Sequence, residues 1–194
     1  QDIVIVSFAS SRALPLGEQY CSCPNRVRIE YKRDQDSVEL HHLSLIIKSE
    51  LEEGAVKEAV DAFAPCESLF YRSFLPKALS VINYPFSAKY FHSPKPPVIV
   101  LEDLKDKGFV MGNKLKGLDF EHCRLYVTAV ASLHVASLAV LKEDPGYINT
   151  IGKEKLYNLD QPLTRGLKKI FSSGLRCMAE YTETSGKFNK YTEL

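Results

Sequence analysis

The chain has 194 residues, 45% of them hydrophobic and 25% charged, which is enough apolar material for a folded core. Its 25 Lys and Arg nearly balance 24 Asp and Glu, which excludes the strongly basic surface that nucleic acid or an anionic membrane selects. No apolar run reaches the roughly 18 residues of a membrane span, because Ser, Thr and His interrupt even Val127 to Leu141.

The five cysteines, at 21, 23, 66, 123 and 177, are odd in number and scattered. Cys21 and Cys23 are too close for an ordinary disulfide, and no second pair follows at zinc-ligand spacing. Reduced thiols and a cytoplasmic location are therefore expected. No signal-peptide pattern is visible. Gln1 in place of Met, and the polar end at Leu194, are what a fragment would show.

In chain order, Asp2 to Phe8 alternates around β-branched residues and predicts a strand. Gly17 punctuates the connection that follows. From Arg26 to Tyr31 the alternation is clean, with Val27, Ile29 and Tyr31 on one face. Asp34 to Asp36 predicts a turn, and Val38 to Lys48 a further strand. Together these make an antiparallel meander with one polar face. From Gly54 to Leu75 the texture turns helical, with Val56, Val60 and Phe63 at amphipathic spacing. Pro65 interrupts it, so a short helix, a break and a second helix ending before Pro76 are expected.

Lys89 to His92 predicts a short strand that leads by a turn into Val98-Ile-Val-Leu101. Four consecutive apolar residues read as a buried strand, and Glu102 and Asp103 close it. A Lys- and Gly-rich connector runs from Lys105 to Gly117. Asp119 is a suitable N-cap for a long helix whose stripe is Phe120, Cys123, Val127, Val130, His134 and Leu141. Pro145 and Gly146 end it. Thr150 to Leu159 has no clear pattern, Leu163 to Tyr181 is helical again, and the polar tail keeps one anchor pair, Phe188 and Tyr191.

Lys48 shares a face with Ile46, opposite Leu45 and Ile47. A solvated strand end is the ordinary role for such a lysine. The alternative is contact with a nucleotide's phosphates, with a helix carboxylate as partner, Glu67 being one of several that could serve. Around Gly17 there is neither G-x-G-x-x-G nor G-x-x-x-x-G-K-[ST], so a hairpin turn is its ordinary reading. His41 and His42 are neighbours on a strand and face opposite ways, which argues against a shared metal. His134 reads as a core histidine bonded to a carbonyl. Glu102 and Asp103 read as a loop anchor rather than an acid/base pair, and no Ser/His/Asp triad is present.

Taken together, these blocks resemble the ecdysteroid kinase-like family, within the wider group related to choline and aminoglycoside kinases. Leu16-Gly-Glu-Gln-Tyr-Cys-Ser22 is similar to the family's loop before an Arg-containing strand, with Gln19 and Cys21 departing from its pattern. Leu45-Ile-Ile-Lys48 resembles its nucleotide-lysine strand, and Glu67-Ser-Leu-Phe-Tyr71 with Leu75-Pro76 keeps its spacing. Val98 to Leu104 with Gly108-Phe109 and Gly117-Leu118-Asp119 resembles its most recognisable stretch. Ala131-Ser-Leu-His-Val-Ala-Ser137 is similar to its large-lobe helix, and Lys187 to Leu194 to the segment before its catalytic loop.

The resemblance implies an α+β fold. Residues 1–104 would form a protein kinase-like small lobe and hinge, a five-stranded antiparallel sheet with a helix. Residues 105–194 would supply the first helices of a truncated large lobe lacking the catalytic loop. It further implies nucleotide contacts from Gly17, Ser22, Lys48, Glu67, Leu101, Glu102 and Leu104, with ATP and Mg²⁺ as the family's cofactors. The family's catalytic base lies in a His-Gly-Asp loop, and no glycine in this chain follows a histidine. No catalytic residue or metal ligand is thus assigned. The expectation is an inactive N-terminal portion of an ATP-dependent kinase acting on an alcohol such as an ecdysteroid hydroxyl. The alternative is a non-catalytic binding or regulatory protein derived from a kinase.

Overall fold

The computed structural model describes residues 3–15, 22–49, 66–84, 86–95, 98–113, 115–151, 160 and 162–187. Its strands are β1 (Val4–Arg12), β2 (Cys23–Lys32), β3 (His41–Ser49), β4 (Tyr90–Phe91) and β5 (Ile99–Glu102). They form one sheet of order β1-β2-β3-β5-β4, and every neighbouring pair is antiparallel. The expected α+β arrangement is present. The first strand begins and ends later than the alternation predicts, and β3 begins at His41 rather than Val38.

Burial follows position in the sheet. β1 lies at an edge, and its Ile5, Val6 and Phe8 remain exposed. Its register shifts between Ile5 and Ser7, a bulge of the kind that discourages edge-to-edge pairing. β3 lies between β2 and β5, and its Ser44 and Leu45 are buried together with Ile99 and Leu101 of β5.

The helix after the undescribed residues 50–65 is where the sequence expectation needs correction. It is α-helical as α1 (Cys66–Leu69), π-helical over Phe70–Phe74, and α-helical again as α2 (Leu75–Val81). It therefore runs through Pro76 instead of ending before it. The reason is local: the Leu75 N–H donates to the Phe70 carbonyl, one residue beyond α spacing, which restarts the count. Pro76 then falls in the first turn of α2, where its missing N–H costs little. The helix expected between Gly54 and Pro65 lies outside the described residues.

α3 (Phe120–Glu143) is capped by Asp119, whose carboxylate accepts the His122 N–H at 2.9 Å. That bond, with a second from the His122 ring, holds the Asp119 carboxyl below its ordinary range. The buried face of α3 shares only Leu141 and the partly buried Val130 with the predicted stripe. Ala136 and Val140 are buried and Leu133 and Leu141 partly so, while Phe120, Cys123, Val127 and His134 are exposed. The helix is apolar on most sides, so periodicity could not select the face. By length and average hydropathy this helix is able to cross a membrane, contrary to the reading from uninterrupted runs; core helices pass the same test. Pro145 and Gly146 end it, and α4 (Tyr147–Ile151) follows.

The core joins these helices. Phe74, Ala78, Ala136, Val140 and Tyr147 are buried together, with Phe70, Ile82, Phe86 and Ile151 packed against them. Tyr147 donates its hydroxyl to Ser73 Oγ at 2.6 Å, and Lys77 lies 4.9 Å from its ring centre. All of this belongs to one unit, Gln1–Gly152. A second unit, Lys153–Leu194, contains α5 (Pro162–Thr184), which carries exposed Ile170, Phe171, Leu175 and Met178 at helical spacing. The tail residues Phe188 and Tyr191 lie outside the described residues. The three described cysteine side chains, Cys23, Cys123 and Cys177, are free and exposed.

Candidate functional site

The site grows from the C-terminal end of β5. Leu45 to Lys48 of β3 pair with Glu102 back to Ile99 of β5, so Ile46 opposes Leu101 and Lys48 opposes Ile99. Across β3, Arg26 of β2 opposes Ile46. Alternation therefore puts Arg26, Ser44, Ile46, Lys48 and Leu101 on one face of the sheet.

Lys48 reaches off this face to Glu67 in the first turn of α1, and its Nζ donates to Glu67 Oε1. The lysine side chain is 24% exposed and the glutamate 50%. One partner is a half-exposed carboxylate, so the pair contributes little net stability. Its consequence is geometric: the ammonium is held against the helix rather than left to wander on its stem. Tyr71 in the π-helical turn stacks on Tyr90 of β4, ring centres 5.9 Å apart, and so ties the same helix to the other end of the sheet.

At the strand's end, Asp103 is 3% exposed and accepts four hydrogen bonds. They come from Arg26 Nε at 2.5 Å and Nη2 at 3.3 Å, from Ser44 Oγ at 2.8 Å and from the Lys105 N–H at 3.2 Å. Burial pushes its carboxyl upward, but the bonds from Arg26 and Ser44, the Arg26 charge and the Lys105 N–H outweigh it. The group titrates below its ordinary value of 3.8. The Arg26 guanidinium is correspondingly raised, chiefly by its bond to Asp103. Asp103 is thus an anchor, as its sequence position suggests. The partner that makes it one, Arg26, was not legible, because a charged residue in an alternating strand reads as solvent-facing.

Glu102 is pinned beside β4: its N–H donates to the Lys89 carbonyl at 2.9 Å, and its Oε1 accepts the Lys89 N–H at 2.7 Å. Leu104 is partly buried, and its carbonyl accepts from the N–H groups of Lys107 and Phe109. Its own N–H finds no acceptor among the described residues.

The structure therefore gathers Leu101, Glu102 and Leu104 at one strand end, and joins Lys48 to Glu67 about 10 Å along the same ladder, three residues at strand rise. Ser22 directly precedes β2 and is partly buried. Gly17 lies outside the described residues. His134 does not pack in the core. With Glu67, Phe70, Phe74, Leu133 and Ser137 it lines a cavity of about 500 Å³ between the π-helical turn and α3. Among the described residues no three His, Cys, Asp or Glu side chains gather to hold a metal.

No curated protein and no solved structure matches this chain. The sequence profile of the ecdysteroid kinase-like family matches residues 16–194. With that match covering nearly its whole length, the chain belongs to the ecdysteroid kinase-like family, which points to a kinase-like phosphotransferase.

Proposed function

We propose that this chain is the nucleotide-binding portion of an ATP-dependent kinase whose acceptor is an alcohol, an ecdysteroid hydroxyl being the one the family's name points to. The observation that carries this reading is the Lys48–Glu67 ion pair, set on the same sheet face as Leu101. Lys48 would hold the phosphates and Glu67 would orient Lys48, the division of labour that kinase-type small lobes use. The adenine would rest against Leu101 and meet the backbone of Glu102 and Leu104. Such a site positions and neutralises charge, which is most of what phosphoryl transfer asks of a protein.

ATP is the phosphoryl donor that membership of a kinase-like family suggests. For Mg²⁺ the described residues supply no ligand set, so no step is routed through a metal. No base for the acceptor hydroxyl is assigned, because no glycine follows a histidine in the chain. Taken by itself, the chain binds nucleotide without turnover.

Titration calorimetry of ATP into the chain and its Lys48→Ala variant tests this. The variant should bind at least about tenfold more weakly, the loss expected for a charge-assisted contact. Equal affinities would remove Lys48 from the site, and no binding by either would remove the site.

A further inference from the structure

The Asp103 carboxylate is more heavily held than closing a turn requires. An aspartate that accepts the N–H two residues on is a common turn device and sits in solvent. Asp103 makes that bond, to Lys105, while almost wholly buried, and its remaining capacity goes to Arg26 and Ser44 on two different strands. Its backbone is fixed as well, with its N–H on the Ser44 carbonyl at 3.2 Å and its carbonyl accepting the Asp106 N–H at 3.1 Å. Leu104 is held from both sides, by Asp103 before it and by the Lys105 N–H after it. Between those two points its own N–H is left without an acceptor among the described residues.

We propose that Asp103 is a positioning residue for purine selectivity: braced by Arg26 and Ser44, it fixes the Leu104 N–H as a donor for a ring nitrogen of adenine. The inference rests on the nucleotide reading above and deepens it. Adenine N1 is an acceptor, whereas N1 of hypoxanthine carries a hydrogen and cannot accept from an N–H. A rigidly held donor therefore separates ATP from inosine triphosphate, and a loosened one does not. The Asp103→Asn side chain keeps the shape but puts an NH₂ in place of one carboxylate oxygen, so it loses either the bonds from Arg26 Nε and Ser44 or the Lys105 N–H bond, and Leu104 is held less firmly.

Calorimetry with ATP and with inosine triphosphate on the full chain tests it, after a circular dichroism melt has confirmed folding. The wild type should favour ATP by about tenfold, one well-made hydrogen bond's worth of discrimination, and Asp103→Asn should lose most of that ratio. Ser44→Ala removes one donor of four and should lower the ratio in the same direction, which carries the test if Asp103→Asn does not fold. Equal weakening of both nucleotides would show a merely structural role and overturn the proposal. An unselective wild type would overturn it while leaving the phosphate contacts standing. A wild type that binds neither nucleotide would overturn the underlying nucleotide reading.

Discussion

Arg26 and Asp103 stand 77 positions apart in the chain and meet through two hydrogen bonds, of 2.5 and 3.3 Å, with both side chains largely shielded from water. The pair joins the second strand of the sheet to the turn that leaves its fourth-placed strand. It contrasts with Lys48–Glu67, in which the carboxylate is half exposed. The first pair is arranged to hold the fold, the second to hold a charge in place.

Arg26→Ala leaves the Asp103 carboxylate buried with Ser44 and Lys105 as its remaining donors. Removing one partner of a buried pair costs about 3–5 kcal/mol, because the other charge stays behind uncompensated. Urea titration should show a loss of that order, larger than for Lys48→Ala. A loss within about 0.5 kcal/mol, typical of surface substitutions, would contradict the buried-pair reading.

The depressed carboxyl of Asp103 sets the direction of a pH effect. A group whose folded value lies below its unfolded one contributes stability that is complete above the ordinary value of 3.8 and disappears as pH falls through the folded value. Between pH 5 and 8 this group adds no slope. Wild type and Asp103→Asn, compared by denaturation at pH 6 and again below pH 3, should differ most at the higher pH and converge at the lower. A gap that stays constant would exclude Asp103 as the source.

Glu67→Gln keeps the length of the side chain and removes its charge. Because Glu67 is half exposed, its stability cost should fall within the range of about 0–1 kcal/mol measured for surface pairs. Nucleotide affinity should fall by more than that cost predicts, since Lys48 is freed to adopt other rotamers. Thermal melts and ATP calorimetry on the same preparation separate the two effects. An unchanged affinity would make the ion pair irrelevant to binding.

Val127 and Leu138 of α3 are exposed, at 63% and 69%, with Val135 between them also open. Apolar helix surface of this extent favours association between molecules. Light scattering should show oligomers whose population rises with concentration, and Val127→Glu with Leu138→Glu should reduce them. A monodisperse monomer for the unsubstituted chain would count against this.

Where one face of an element is clearly more apolar than the other, local sequence sufficed. The alternation in β2 and β3, the apolar run of β5, the Asp119 cap and the helix in the 163–181 region all follow from period and composition. Lys48's face followed from alternation alone. In α3 the same reasoning chose a stripe that is mostly exposed, because an all-round apolar helix carries little phase information, and small Ala136 became a core residue by joining the cluster of Phe74 and Tyr147.

By itself, then, the sequence determined the meander, the strand that ends in Glu102 and Asp103, and the order of blocks that marks the family. Tertiary structure decided that Arg26 meets Asp103 and which of several candidate carboxylates meets Lys48. Arg26 finds Asp103 because antiparallel register brings β2, β3 and the end of β5 to one line, and Lys48 finds Glu67 because its side chain reaches from that same face to the first turn of α1. Tertiary structure also decided the fate of Pro76, since a π-helical turn before it converts a helix breaker into a first-turn residue. Periodicity reports which side of an element is apolar. It cannot report which distant group arrives to satisfy a buried charge, because that depends on pairing set by the whole sheet.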